Sequence, residues 1–147
     1  MALMPMVDQW IAANSGAATP GASDEALDAA AAELGIELPS DYRTMMSKSN
    51  GGEAEFGESW IVMWRVEDLV ERNAGYKVQE FAPGFTFFGS NGAGEACAWD
   101  WRPTRQARYV VIPFITPEPD AAVPCGDSLE EFLATLNRGI PFERIRE

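Results

Sequence analysis

Histidine is absent from this chain. That removes the side chain most used as general base and as metal ligand near neutral pH. No Ser-His-Asp or Cys-His arrangement can be assembled without it. Cysteine is scarce: Cys97 and Cys125 stand far apart with no CxxC spacing, which excludes a disulfide scaffold. Both lie in apolar, strand-like surroundings, where a buried inert thiol is expected. No window approaches eighteen unbroken apolar residues, so no transmembrane helix is expected. The opening MALMPMVDQWIAANSG lacks a basic n-region and carries Asp8 within its apolar stretch. It makes a poor signal peptide, and cytoplasmic residence follows as the expectation.

Positive charge is the other shortage. Lysine and arginine number 11 against 23 acidic residues, a net charge of −12 over 147 residues. This balance argues against binding a nucleic-acid backbone or an anionic membrane surface, both of which call for basic patches. It favours a basic protein partner, because complementary fields accelerate encounter and suppress wrong partners. Acidic surfaces also keep proteins soluble, so charge alone does not assign a function.

What is present is enough for one domain, able to bury roughly 70% of the surface its unfolded chain exposes. The stretch LPSDYRTMMSKSNGG (38–52) reads as a helix with its signals attached. Pro39 suits the entry, Ser40 or Asp41 offers an acceptor to the first free amides, and Tyr42, Met45, Met46 and Ser49 make one apolar face. Asn50, Gly51 and Gly52 are expected to end it in left-handed conformations. Upstream, residues 1–21 read as an appendage, a short helix with Val7, Trp10 and Ile11 on one side and a small-residue linker over 15–21. Residues 22–147 then form a single domain. Its first helix is capped by Ser23, striped by Leu27, Ala30, Ala31 and Leu34, and stopped at Gly35.

Beyond the double glycine, residues 53–58 read as an acidic loop and SWIVMW (59–64) as a first strand. A short helix follows around Val66, Leu69, Val70 and Asn73, then a loop over 75–84 carrying Tyr76. FTFFG (85–89) and residues 95–101 read as strands joined by a tight Asn-Gly turn. Residues 109–114 make a further strand, and 121–125 a short edge strand. Ser128 opens the last helix with Glu131 three residues on, and Leu129, Phe132, Leu133 and Leu136 form its stripe. The order predicts an α+β fold: a mostly antiparallel sheet of about four to five strands with helices packed on one face. Hairpin-joined strands leave no room for repeated βαβ crossovers.

Six of these pieces occur in one order: LPSDY, NGG, WIVMW followed by Val66-Glu67-Asp68-Leu69, FFGSNGAGE, AWDW and SLEEFL. The series resembles the SUKH superfamily, the family of the Smi/Knr fungal cell-wall regulators and their many bacterial relatives, over about residues 23–137. The N-terminal addition and the proline-rich crossing near Pro117 and Pro119 depart from it. The resemblance implies a non-enzymatic binding role without cofactor. Many bacterial members look like cytoplasmic immunity proteins that neutralise a toxin, often a nuclease. A monomer or weak homodimer that grips a basic toxin and does not itself touch nucleic acid is the implied form. A regulatory scaffold or small-ligand binder of the same fold stays open beside it, and an enzyme working with carboxylates alone stands further off.

Three places are candidates for the partner surface. The first is the acidic loop, with Glu53, Glu55 and Glu58 around an exposed Phe56, an aromatic anchor ringed by carboxylates. The second is Asp100, Trp101 and Arg102 at the end of the third strand. The third is Tyr76 on its loop. Trp60, Trp64, Phe85 and Phe87 are expected in the core. Gly89-Ser90-Asn91-Gly92-Ala93-Gly94 carries no lysine and no following helix, so a β-turn is expected there and not a phosphate loop.

Overall fold

The computed structural model describes residues 4–14, 20–115 and 117–139. Helices α1 (Pro5–Ala13), α2 (Asp24–Leu34) and α3 (Ser40–Lys48) come first. Strands β1 (Gly52–Phe56) and β2 (Ser59–Met63) follow, then a 3₁₀ turn (Val66–Asp68) and helices α4 (Leu69–Gly75) and α5 (Val78–Phe81). After β3 (Phe85–Ser90), β4 (Glu95–Asp100) and β5 (Tyr109–Pro113) come a second 3₁₀ turn (Pro119–Ala121), β6 (Val123–Gly126) and α6 (Leu129–Asn137). The strands form one antiparallel sheet in the order β1-β2-β3-β4-β5-β6. The α+β expectation holds, with six strands where four to five were expected. The extra strand is β1, read from sequence as an acidic loop.

Two local signals account for that strand. Gly57 has φ 60° and is the first residue of a two-residue loop between Phe56 and Ser59, the place where a hairpin of this kind takes glycine. The turn is anchored from behind, since the Glu58 amide donates to the Asn137 carbonyl and the Ser59 hydroxyl to the Leu136 carbonyl. Helix α3 also ends differently from expectation. It stops at Lys48, Ser49 is already extended, and Asn50 is not left-handed. Only the two glycines carry positive φ, and a Cβ on Gly51 would lie 2.8 Å from the Met63 carbonyl oxygen. Asn50 acts through its side chain: Oδ1 accepts from the Val66 amide at 2.9 Å and Nδ2 donates to Glu67 at 2.7 Å.

One face of the sheet meets the helices. Phe88, Trp99 and Tyr109 form a ring cluster there with Tyr42 of α3 and Phe132 of α6. Asp41 fastens this layer, its Oδ1 accepting from the Tyr109 hydroxyl at 2.8 Å and its Oδ2 from the Leu129 amide at 2.7 Å. The second of these puts a carboxylate at the N-terminus of α6, where the helix dipole favours it. Burial and the Asp41 charge together push the Tyr109 hydroxyl well above the ordinary tyrosine range. Ser128 caps α6 as predicted, through the Glu131 amide. Helix α1 is seated by Trp10, edge-on to Phe56 at 6.0 Å, and by the Glu130 carboxylate, which accepts from the Met6 and Val7 amides. Most of the linker predicted over 15–21 falls outside the described residues.

Candidate functional site

The register of the β1–β2 hairpin decides which residues can meet a partner. Glu53 stands across from Val62 and Glu55 across from Trp60. Side chains alternate along a strand, so Glu53, Glu55, Trp60 and Val62 share one face while Ala54, Phe56, Ile61 and Met63 share the other. The second set enters the core. Phe56 is 1% exposed, which corrects the expectation of an exposed aromatic anchor at that position. Its ring packs against Trp10 because strand parity sends it inward with Ile61 and Met63. Trp60, expected in the core, is 47% exposed. The aromatic among the carboxylates is therefore Trp60.

The signal that finds Trp60 is Gly57. A two-residue turn at Gly57-Glu58 pairs Phe56 with Ser59, and the alternation then puts Trp60 beside Glu55. The turn that joins β3 to β4 forms the far wall, since a Cβ on Gly92 would lie 2.9 Å from Trp60 Cδ1. Asn91 Oδ1 holds that turn by accepting from the Ala93 and Glu95 amides. Glu58 is exposed at the hairpin tip. Among the described residues the ion pairs are Arg43–Asp28, Arg65–Glu67 and Arg102–Asp100, so Glu53, Glu55 and Glu58 have no basic counterpart. Their charge is left to act outward.

The same side of the sheet continues toward Tyr76. Val62 pairs with Ser90, Ser90 with Ala96 and Ala96 with Ile112, one row across four strands. Phe114 shares parity with Ile112, and Trp64 shares parity with Trp60 and Val62. The Tyr76 ring stacks on Phe114 at 4.5 Å and lies parallel to Trp64 at 6.0 Å, with the Arg72 guanidinium 5.1 Å from the Trp64 ring centre. Tyr76 is 42% exposed. The structure thus brings Tyr76 onto the face that carries Glu53, Glu55 and Trp60.

Asp100 and Trp101 are not brought together. Asp100 is 2% exposed and holds Arg102 in a two-point bond, 3.0 Å to Nε and 2.9 Å to a terminal nitrogen. This pair raises the arginine pKa further above its ordinary value, and the guanidinium covers the Phe85 ring. Buried and satisfied in this way, Asp100 is not an exposed contact, which corrects that part of the expectation. Trp101 goes to the helix side, where its Nε1 donates to Thr86 Oγ1 and Arg108 lies over its ring at 4.9 Å. It borders a groove of about 870 Å³ together with Arg43, Leu38 and Ile36. The groove is broad and open to solvent.

Among the described residues no group of three or more cysteine, aspartate or glutamate side chains converges to hold a metal ion. No described helix is long and apolar enough to cross a membrane. No curated protein sequence matches the chain. Residues 21–135 match the family model described as the SMI1 / KNR4 family (SUKH-1), and over that span, which runs from the approach to α2 into α6, the chain belongs to this family.

Proposed function

We propose that this chain is an immunity-type protein that neutralises a toxin by binding it, without chemistry of its own. The favoured partner is a basic nuclease domain in the cytoplasm. One observation carries the reading: a half-exposed Trp60 stands among Glu53, Glu55 and Glu58, and among the described residues no basic side chain pairs with them. Tryptophan is the ring most often found at the centre of an interface, and unpaired carboxylates around it attract and orient a basic surface. Tyr76 extends this face with a second partly exposed ring. Membership of the family supports a binding role, and the net charge of −12 supports a basic partner.

The test uses a basic nuclease toxin domain, sought first in the reading frames that neighbour the gene for this chain. Association is followed by stopped-flow fluorescence at low and high salt. The wild type is expected to associate fast and to slow steeply with salt. Reversal of Glu53, Glu55 and Glu58 to lysine is expected to slow association at least tenfold at low salt. Trp60→Ala is expected to act on dissociation instead. Unchanged association of the triple variant at low salt would show that the partner docks elsewhere.

A further inference from the structure

The outer edge of β1 has a feature that the charge of its side chains does not explain. A two-residue hairpin loop makes Phe56 and Ser59 a hydrogen-bonded pair, and bonded pairs then alternate along the ladder. Phe56, Ala54 and Gly52 accordingly spend their backbone groups on β2. Glu53 and Glu55 point their N–H and C=O groups away from it, and among the described residues β1 is the last strand of the sheet on that side. No hydrogen bond among the described residues reaches those outward groups. Helix α1 meets β1 through Trp10 and Phe56, on the opposite face.

An open edge of this kind is a template for another strand, and proteins blunt it with charge to prevent self-pairing. Glu53 and Glu55 do this against a second copy of the chain. Two such edges laid together would set carboxylate against carboxylate, with no lysine or arginine in β1 to relieve them. A basic strand meets no such penalty. On the added strand, the residues opposite Glu53 and Glu55 fall on the face that carries both carboxylates and Trp60.

The geometry points to β1 as a strand-acceptor site, taking an extended segment of a basic protein partner as a seventh strand on the backbone of Glu53 and Glu55. Lysine or arginine at alternate positions of that segment would lie against the two carboxylates. Backbone pairing supplies affinity, and the alternating charge supplies selection. This rests on the reading that the hairpin is where a basic partner docks, and it adds the mode of docking.

The probe is a short capped peptide alternating lysine and valine, titrated into the full chain while its tryptophan emission is followed against that of Trp60→Phe. A second peptide of the same sequence carries N-methyl groups on the amides of its pairing edge, which keeps the charge and removes the ladder. The parent is expected to bind saturably and at least tenfold more tightly than the methylated form. It is also expected to slow amide exchange at Glu53 and Glu55. On the protein side, Glu55→Pro removes an outward N–H that β2 does not use, a position where an edge strand tolerates proline. Glu55→Thr removes the same charge and keeps the amide. Glu55→Pro is expected to bind at least tenfold more weakly than Glu55→Thr. Absence of saturable binding by the parent peptide, or equal binding of the methylated one, overturns the strand-acceptor assignment. Equal binding of the two peptides with retained salt sensitivity would leave a basic partner held by charge alone. The lysine-reversal experiment with the toxin decides that broader reading separately.

Discussion

Replacing Phe56 and Trp60 in turn gives the sharpest test of how the hairpin sits. Phe56 is fully enclosed, and truncating an enclosed phenylalanine costs about 3–5 kcal/mol in transfer and cavity terms. The edge-on contact with Trp10 is lost as part of this. In a domain of this size about 1 kcal/mol moves Tm by about 3 °C, so Phe56→Ala is expected to melt about 9–15 °C below the wild type. Trp60 keeps close to half its surface in water. Its buried part, roughly 100 Å² at about 25 cal/mol per Å², sets a ceiling near 2.5 kcal/mol. Threonine retains part of that contact and suits a strand, and the unfolded chain already hides some of the area. Trp60→Thr is therefore expected to cost about 1 kcal/mol, or about 3 °C. Thermal melts followed by circular dichroism, with urea titrations to check that the slope is unchanged, measure both. Equal losses, or a larger loss at Trp60, would mean that the strand is slipped by one residue and its faces are exchanged.

Further expectations concern the bonds that hold the layers together. Asp41→Ala removes the acceptor of the Tyr109 hydroxyl and the Leu129 amide and is expected to cost about 3 kcal/mol in urea titration, with Asp41→Asn costing less than half of that. Asn73→Ala leaves both backbone groups of Phe87 without the side chain that now bonds them, at 2.9 Å each, and is expected to cost about 2–4 kcal/mol by the same measurement. Glu67 is held below the ordinary glutamate pKa, first by its bond from Asn50 and then by Arg65. A lowered carboxyl pKa gives stability that is present above the unfolded value, about 4.3, and is lost as pH falls through the folded value. The stability advantage of wild type over Glu67→Gln should thus shrink between pH 5 and the acid limit (roughly the range set by that shift) when ΔG is measured against pH, and because Glu67 is half exposed it should amount to tenths of a kcal/mol.

Helix caps and stripes were legible because their signals are local. Ser23 and Ser128 accept from Ala26 and Glu131 as three-residue spacing requires, and Tyr42, Met45 and Met46 are all buried on one face of α3. Strands β2 to β5 were legible from their apolar and aromatic runs. Strand β1 was not, since GEAEF carries two glutamates in five residues and reads as a solvated loop until its partner is known. Its pairing is a tertiary fact that overrides propensity. The same blindness reversed Phe56 and Trp60. Alternation fixes which residues share a face, but the identity of the buried face comes from what packs on it, here Trp10 from the far end of the chain. Asn50 was misread for a related reason: its work is a side-chain bond to Val66, sixteen residues on.

Apart from Trp60, which opens WIVMW, the motifs that carried the family resemblance and the residues proposed to meet a partner divide in space. Asp41 and Tyr42 of LPSDY, Asn50 of NGG, Phe88 of FFG, Trp99 and Asp100 of AWDW, and Ser128 of SLEEFL are all interior bonds or core rings, or cap a core helix. Glu53, Glu55 and Trp60 lie on the outer face of the first hairpin and make none of those bonds. Strand pairing holds the hairpin backbone in place, and the Glu58 and Ser59 bonds to α6 anchor its turn. The outward side chains can therefore change at a cost of about 1 kcal/mol or less each, within the range of ordinary surface substitutions and partly exposed rings. A scaffold fastened from within and exposed at one sheet edge can exchange the charge and ring pattern of that edge without unfolding. Under the binding role proposed above, that separation lets the interface be revised while the fold is retained.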